Sequence, residues 1–466
     1  PEHNPAILVD TEGIQHSSYT PATPGWAYVG NTDWLDEFYR KSAFMQQHNA
    51  SLSGGTERNN YYASIGYKDQ SGIFRYGNDS YKRFNLSFNF DTKITDWLDM
   101  SFSTRMSNIK NDEPYMDNGG SDAVTWYYEV YRMYPTLSVF LPNGDFAGIY
   151  LNGGNYNIIG KMALAGRNKK ETWDQWYTGR FDLHPMKGLS VKGDYSWNRY
   201  STVQKFHRKE MTQTFPEGRD PYLVETPNYV RNYNSNNIYQ AINVWAEYKK
   251  SFNDVHNLSL MAGYNQEEKT YASTSYTMTD LYDNEMPISD LAINYKENEE
   301  GSDIWRVQGA FFRLNYDYRS KYLLEVNGRY DGSSKYAKHD RWAFFPSASV
   351  GWRISEEKFF KSLSKVVDNL KIRASIGALG NQITDGNHSF MSIISGKVLT
   401  NYMMDGKIVN GLNIPTLPSM VTWEKVITKD IGLDWSLFKN RLFGSFDFYV
   451  RDTKDMVRSV TLPAVL

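Results

Sequence analysis

Stretches of about ten residues recur along this chain in which apolar, often aromatic, side chains alternate with Asn, Ser, Asp or Arg. In Phe84-Asn85-Leu86-Ser87-Phe88-Asn89-Phe90-Asp91 the even positions are apolar and the odd ones polar. Period two is the signature of a β-strand, whose successive side chains point to opposite faces. The same alternation sets Val191, Gly193, Tyr195 and Trp197 against Lys192, Asp194, Ser196 and Asn198. It sets Leu442, Gly444, Phe446, Phe448 and Val450 against Ser445 and Asp447, with Phe443 and Tyr449 as exceptions on the polar side. No ordinary core needs so many one-sided ribbons. They predict an all-β closed sheet with an apolar outside and a wet lumen.

The pattern predicts about fourteen strands, near 46–53, 60–67, 81–91, 97–109, 172–183, 188–200, 237–251, 256–269, 304–317, 321–331, 342–354, 370–380, 423–436 and 442–453. Short links alternate with long ones, and the long ones form loops near 110–171, 201–236, 270–303 and 381–422. The link 355–369 falls where a short one is due and reads as a brief amphipathic helix over Glu356-Glu357-Lys358-Phe359-Phe360-Lys361. A transmembrane antiparallel barrel explains this parity, with tight periplasmic turns and long extracellular loops. A soluble sandwich keeps no such rule. Trp97, Tyr81, Trp352, Trp423 and Tyr449 lie at strand ends, where rings with polar tips form girdles at a membrane surface or pair across strands.

Composition fits that picture. Aromatic residues reach 15% of the 466, yet hydrophobic residues total only 40% and the mean hydropathy is -0.61. A barrel has this balance because only every second strand residue meets lipid, and a secreted β-sandwich can have it too. No run approaches the roughly 18 apolar residues of a membrane helix, and a barrel leaves none. The chain has no Cys, which removes disulfides and thiolate chemistry. With a net charge of -2 and dispersed basic residues, nothing points to a nucleic-acid partner, and none is expected. Pro1 stands first and no basic-then-apolar leader follows, so a mature chain or a fragment is expected.

Motifs of catalysis are missing: neither H-E-x-x-H nor G-x-S-x-G occurs, and the stretch Gly154 to Gly160-Lys161 ends in Met162 with the wrong phosphate-loop spacing. The eight His residues lack metal-ligand spacing. No enzyme activity and no cofactor are expected. Asp117-Asn118-Gly119-Gly120-Ser121-Asp122 offers oxygens to calcium but lacks the terminal Glu of an EF-hand loop, and a plain turn is the simpler reading. Trp126-Tyr127-Tyr128-Glu129-Val130-Tyr131 is more pointed, because sugar rings stack on aromatics while their hydroxyls bond to Asn or Asp. The same loop carries Asn152, Asn155 and Asn157. A small loop core, or a surface packed on a partner, accounts for these rings equally well. Loops on a rigid barrel concentrate ligand contacts. The candidate substrate-binding residues are therefore Trp126, Tyr128, Tyr131, Asn155, Tyr282, Asp283 and Tyr402, with Tyr271, Tyr276 and Asp405 nearby.

Several segments resemble the SusC/RagA family of TonB-dependent outer-membrane transporters. They are SLSGGTERNNYYASIGY (51–67), YKRFNLSFNFDTKITDWLDM (81–100), RYDGSSKY (329–336), RWAFFPSASVGWRIS (341–355), LKIRASIGALGNQ (370–382) and WEKVITKDIGLDWSLFKNRLFGSFDFYVRDTKDM (423–456). Their residues read as architectural. Gly54-Gly55 is expected in a tight turn at positive φ, and Asp331-Gly332 is expected to open an extracellular turn for the same reason. Pro346 is expected near a strand start, where a missing N–H costs least.

The resemblance implies a barrel of 22 strands in the outer membrane of a Gram-negative cell, of which this chain holds about fourteen. The plug and N-terminal domains would lie outside residues 1–466. It implies import of a nutrient, an oligosaccharide first and an oligopeptide as the alternative, energised through TonB. It also implies a SusD-like surface lipoprotein as partner, with calcium possible on the loops or on that partner. A passive porin and a secreted carbohydrate-binding β-protein are the rival classes.

Overall fold

A computed structural model of the protein describes residues 7–9, 27–115, 122–141, 143–148, 157–214, 221–382, 386–388, 400–411 and 422–456. Fourteen strands form one antiparallel sheet in strict chain order, each bonded to its sequence neighbours. They are β1 (Met45–Gly55), β2 (Asn59–Ser71), β3 (Ser80–Thr95), β4 (Leu98–Pro114), β5 (Gly166–Met186), β6 (Leu189–Arg208) and β7 (Tyr229–Phe252). Then follow β8 (His256–Leu281), β9 (Ala292–Tyr318), β10 (Tyr322–Ser333), β11 (Trp342–Arg353), β12 (Val367–Asn381), β13 (Glu424–Leu437) and β14 (Leu442–Lys454). Every predicted strand is present. Three short helices, α1 (Trp34–Phe38), α2 (Asp122–Tyr131) and α3 (Ile158–Leu164), lie outside the sheet.

Register shows why the alternation exists. One row runs Leu260, Leu314, Val326, Ala348 and Ile376 across β8 to β12, each directly opposite the next. Ile431, Phe446 and Phe448 continue that apolar face on β13 and β14, each more than 60% exposed. An apolar surface of such extent has no place in water and marks contact with lipid. On the other face, hydrogen bonds run from strand to strand: Asn265 donates to Asn243 at 2.7 Å, Asn243 to Asp194 at 2.9 Å, and Asn198 to Asp174 at 2.7 Å. Arg313 donates to Asn327 at 2.7 Å. The apolar band is bounded by rings. Trp352 and Tyr322 pair at the short-turn end, and Tyr330 stacks on Trp342 at 5.1 Å at the other. Ten residues separate Trp342 from Trp352, roughly 34 Å of strand, or about 26 Å of height at the usual barrel tilt. That height matches the hydrocarbon layer.

Links keep the predicted parity. The tight turns are 56–58, 96–97, 187–188, 253–255, 319–321 and 438–441, and the longer links 72–79, 115–165, 209–228, 282–291, 334–341 and 382–423 emerge at the opposite end. Asn253 and Asp254 both adopt positive φ, the left-handed conformation that these short polar residues tolerate in hairpins. Two expectations shift. The link 354–366 holds two single-turn 3-10 segments, Ile354–Glu356 and Lys358–Ser362, in place of an amphipathic α-helix. Strands β8 and β9 extend to Leu281 and from Ala292, so most of 270–303 is a tall hairpin. Beyond the lipid both faces are wet and the hydrophobic alternation fades, although the ladder continues.

The glycines also differ from expectation. Gly54, Gly55 and Gly332 lie within strands and none has positive φ. A Cβ on Gly332 would meet the Trp342 ring at 2.7 Å, and one on Gly54 would meet Tyr61. Gly263 lies in the same way against Phe311 and Trp245, and Gly444 against Trp435. The missing side chain makes room for a cross-strand ring that covers the glycine backbone. Pro346 is the fifth residue of β11, not the first, but the β11–β12 ladder begins only at Ser347. Its missing N–H therefore interrupts no β12 pairing.

Candidate functional site

Side-chain packing concentrates at the long-link end, where the largest buried cluster joins Trp34, Phe38, Phe74, Trp126, Val130, Val139, Ile158, Ile159 and Met162. Local chemistry sets each helix. Asp33 caps α1 by accepting from the N–H of Leu35 and Asp36 at 3.1 Å. Asn157 caps α3 in the same way, and its amide donates to the carbonyls of Val139 and Ala147. Arg75 ties to Glu37 at 3.1 Å, and Trp34 donates to the Tyr134 carbonyl. Helix α2 buries Trp126 and Val130, four residues apart, and turns Tyr127, Tyr128 and Tyr131 outward.

The outcome is a rigid aromatic shelf. Tyr128 is 60% exposed, Tyr131 71% and Tyr134 59%, and the Arg132 guanidinium lies 5.0 Å from the Tyr128 ring centre. Tyr39 stands beside Tyr127, ring centres 6.1 Å apart. Burial foremost, with the neighbouring Tyr127 and Tyr131 adding to it, pushes the Tyr39 phenol up to about 12. It therefore keeps its proton, and several phenol hydroxyls gather at one edge of the shelf.

A second polar cluster ties the neighbouring links together. His207 meets the Asn284 carbonyl through Nε2 at 3.0 Å; the carbonyl only accepts, so Nε2 carries the hydrogen. Asn284 accepts from the Glu210 N–H, Asn228 bonds to Leu281 by both its amide and its oxygen, and Lys161 of α3 pairs with Glu225. Burial holds the His207 imidazole below its ordinary range; the hydrogen bond to the Asn284 carbonyl and the charge of Glu285 oppose the effect, and Lys209 and Lys205 add to it. A depressed histidine gives stability that is complete above its unfolded value near 6.5 and is lost as pH falls. The protection of 282–291 against amide exchange, relative to the intrinsic rate at each pH, is expected to fall between pH 7 and pH 5 in the natural protein and to lose that fall in His207→Gln.

On the lumen face, the Arg373 guanidinium reaches Asp447 at 2.5 Å, Asp430 at 3.1 Å and Asp434 at 3.4 Å, joining β12, β13 and β14. Gly432 lies beneath it, where a Cβ would strike the guanidinium. A recess of about 720 Å³ opens beside this group, lined by Ser259, Asn315, Glu325, Ser349 and Ser375 among others.

The predicted site residues divide. Tyr128 and Tyr131 stand together on the shelf, whereas Trp126, only 1% exposed, has its ring enclosed by the loop core. Its faces pack near Phe38 and Phe74, so the ring serves as support and offers no face to a ligand. Tyr282, 86% exposed, and Asp283 lie at the tip of the β8–β9 hairpin, apart from the shelf in the fold. Asn155, the side chain of Tyr402 and the calcium candidates Asp117 to Ser121 lie outside the described residues. Tyr39 and Tyr134 were not legible as shelf residues, because a five-residue helix and an irregular turn carry no periodic signal. Among the described residues, no group of three His, Asp or Glu side chains has the arrangement of a metal site.

A lipid-facing apolar band, a polar lumen and a built outer rim define a transmembrane β-barrel of the receptor class. The chain belongs to the family described as TonB dependent receptor-like, beta-barrel, whose model matches residues 110–466. It is similar to TonB-dependent receptor P3 of Formosa agariphila, 28% identical over 93% of this chain and 42% of that protein. It is similar to TonB-dependent receptor SusC of Bacteroides thetaiotaomicron, 26% identical over 95% of this chain and 44% of that protein. Its fold matches the RagAB peptide transporter with a TM-score of 0.74 and 24% identity, over 93% of this chain and 47% of that one. The barrel is thus of the SusC/RagA type. The chain spans less than half the length of these relatives.

Proposed function

We propose that this chain is the barrel of a TonB-dependent importer in the outer membrane of a Gram-negative cell, taking up an oligosaccharide with a SusD-like surface lipoprotein. Family membership supports the transport class, and the shelf of Tyr128, Tyr131 and Tyr134 on its buried Trp126 support carries the cargo reading. Exposed rings fixed by a packed base bind flat, weakly polar faces at low entropic cost, as sugar rings require. The phenol hydroxyls at the shelf edge give the complementary hydrogen bonds. In this reading the protein is no enzyme and holds no cofactor; energy reaches it through TonB. Peptide cargo is the second reading, favoured by likeness to a transporter described as a peptide importer, 25% identical with a TM-score of 0.74. Cells fed labelled oligosaccharide or labelled peptide decide between them. Oligosaccharide uptake lost on deleting this protein, TonB or the lipoprotein supports the proposal, and uptake that persists unchanged in all three strains refutes it.

A further inference from the structure

The upper part of β9 is a strand edge. From Ala292 to Arg306 the strand pairs with β8, but its ladder with β10 begins only at Val307. Where the edge first opens, it is capped locally: the Arg306 N–H donates to the Ser334 hydroxyl at 2.9 Å, and the Ile304 N–H to the Asp303 carboxylate at 2.8 Å. Those two caps reveal the parity. Even-numbered residues of this stretch turn their N–H and C=O away from β8, so the backbone groups of Asn298, Glu300 and Ser302 point to the open side. Among the described residues nothing is bonded to them there. Strand edges of this kind are templates for another extended chain.

Charge narrows the occupant. Glu297, Glu299 and Asp303 share the inner face of this edge, and Glu300 stands on the outer one. Arg231 approaches Glu299 only at 3.8 Å, and Thr277 donates to Glu297 at 3.3 Å. Two copies of so acidic an edge repel each other, which disfavours pairing between copies of this chain. Below the opening, Asn387 and His388 hold Asp303, and Gln382 accepts from Trp305 and Ser333, forming a floor on which an added strand would end.

We infer that β9 between Asn298 and Ser302 is a strand-addition site for an extended segment of a surface partner protein, with Lys or Arg at alternate positions facing Glu297 and Glu299. The inference rests on the reading that the barrel works with a surface partner. A partner is the fitting source because a backbone ladder holds its occupant in place, which suits a tether better than cargo that must move on.

The test uses the full-length transporter in lipid nanodiscs and three end-blocked synthetic peptides. One carries Lys at every second residue, one has the same composition with its Lys in a block, and one is the first with alternate backbone nitrogens methylated. The alternating peptide is expected to slow amide exchange at 298–302 at least tenfold and to bind at least tenfold more tightly than the other two. Glu297→Gln with Glu299→Gln is expected to remove that preference. Ser302→Pro, which deletes one outward N–H, is expected to abolish binding while exchange at Ala272, its β8 partner, stays unchanged. Equal binding of the methylated peptide overturns the inference, as does protection elsewhere on the barrel. Accumulation of the alternating peptide inside cells assigns the edge to cargo and overturns the partner. If deleting the lipoprotein leaves uptake intact while the peptide results hold, the import reading fails and the strand-addition chemistry stands.

Discussion

Ile376→Arg is expected to lower the stability of the barrel in a bilayer by about 2–4 kcal/mol, whereas Ser375→Arg, one residue away, is expected to change it by less than about 1 kcal/mol. Ile376 lies in the row with Ala348, midway between the rings of Trp342 and Trp352, and is half exposed on the apolar face. A guanidinium there meets hydrocarbon and has no partner. Ser375 points to the lumen beside the recess, opposite Asp430. A cation there gains a carboxylate and keeps its water. Urea unfolding of the full-length variants from phospholipid vesicles measures both. Equal losses at the two positions would contradict the assignment of faces.

The second large effect belongs to the shelf. Trp126→Ala removes a ring that is buried among Phe38, Phe74 and the helices, and is expected to cost the loop unit about 3–5 kcal/mol. Because the cluster is a small separate core, that loss is expected to open residues 122–141 while the sheet remains folded. Tyr131→Ala removes an exposed ring and is expected to leave local stability unchanged. It is expected to weaken oligosaccharide uptake by a loss of roughly 1 kcal/mol, about fivefold in KM. Amide exchange of 122–141 with uptake kinetics separates the support from the contact. If Tyr131→Ala leaves uptake untouched, the shelf is not the sugar contact.

The sheet was legible because lipid enforces the alternation: residues such as Phe84, Leu86 and Phe88 must be apolar on one side, and the lumen permits Asn85, Ser87 and Asn89 on the other. Where lipid ends, the constraint ends. The upper halves of β7, β8 and β9 therefore read as loops, although Tyr229 to Asn236 pair residue by residue with β8. Sequence misread Gly332 and Gly54 as turn residues because a glycine under a cross-strand ring looks the same as one at positive φ; only register reveals the ring. At the site, aromatic composition marked α2, but which ring turns inward depends on α1 and α3, which are distant in sequence. Trp126 and Tyr128 were thus indistinguishable until packed. The Arg373 group spans three strands and has no local signature at all.

The most direct test of the whole account is a spin-label scan of β10 in the full-length protein in lipid vesicles, reading collision with molecular oxygen at each position from Tyr322 to Tyr330. High oxygen accessibility is expected at 322, 324, 326, 328 and 330 and low values at the odd positions, the two-residue rhythm of a strand with one face in lipid. Equal accessibility at neighbouring positions, or maxima at Leu323, Glu325, Asn327 and Arg329, would contradict it.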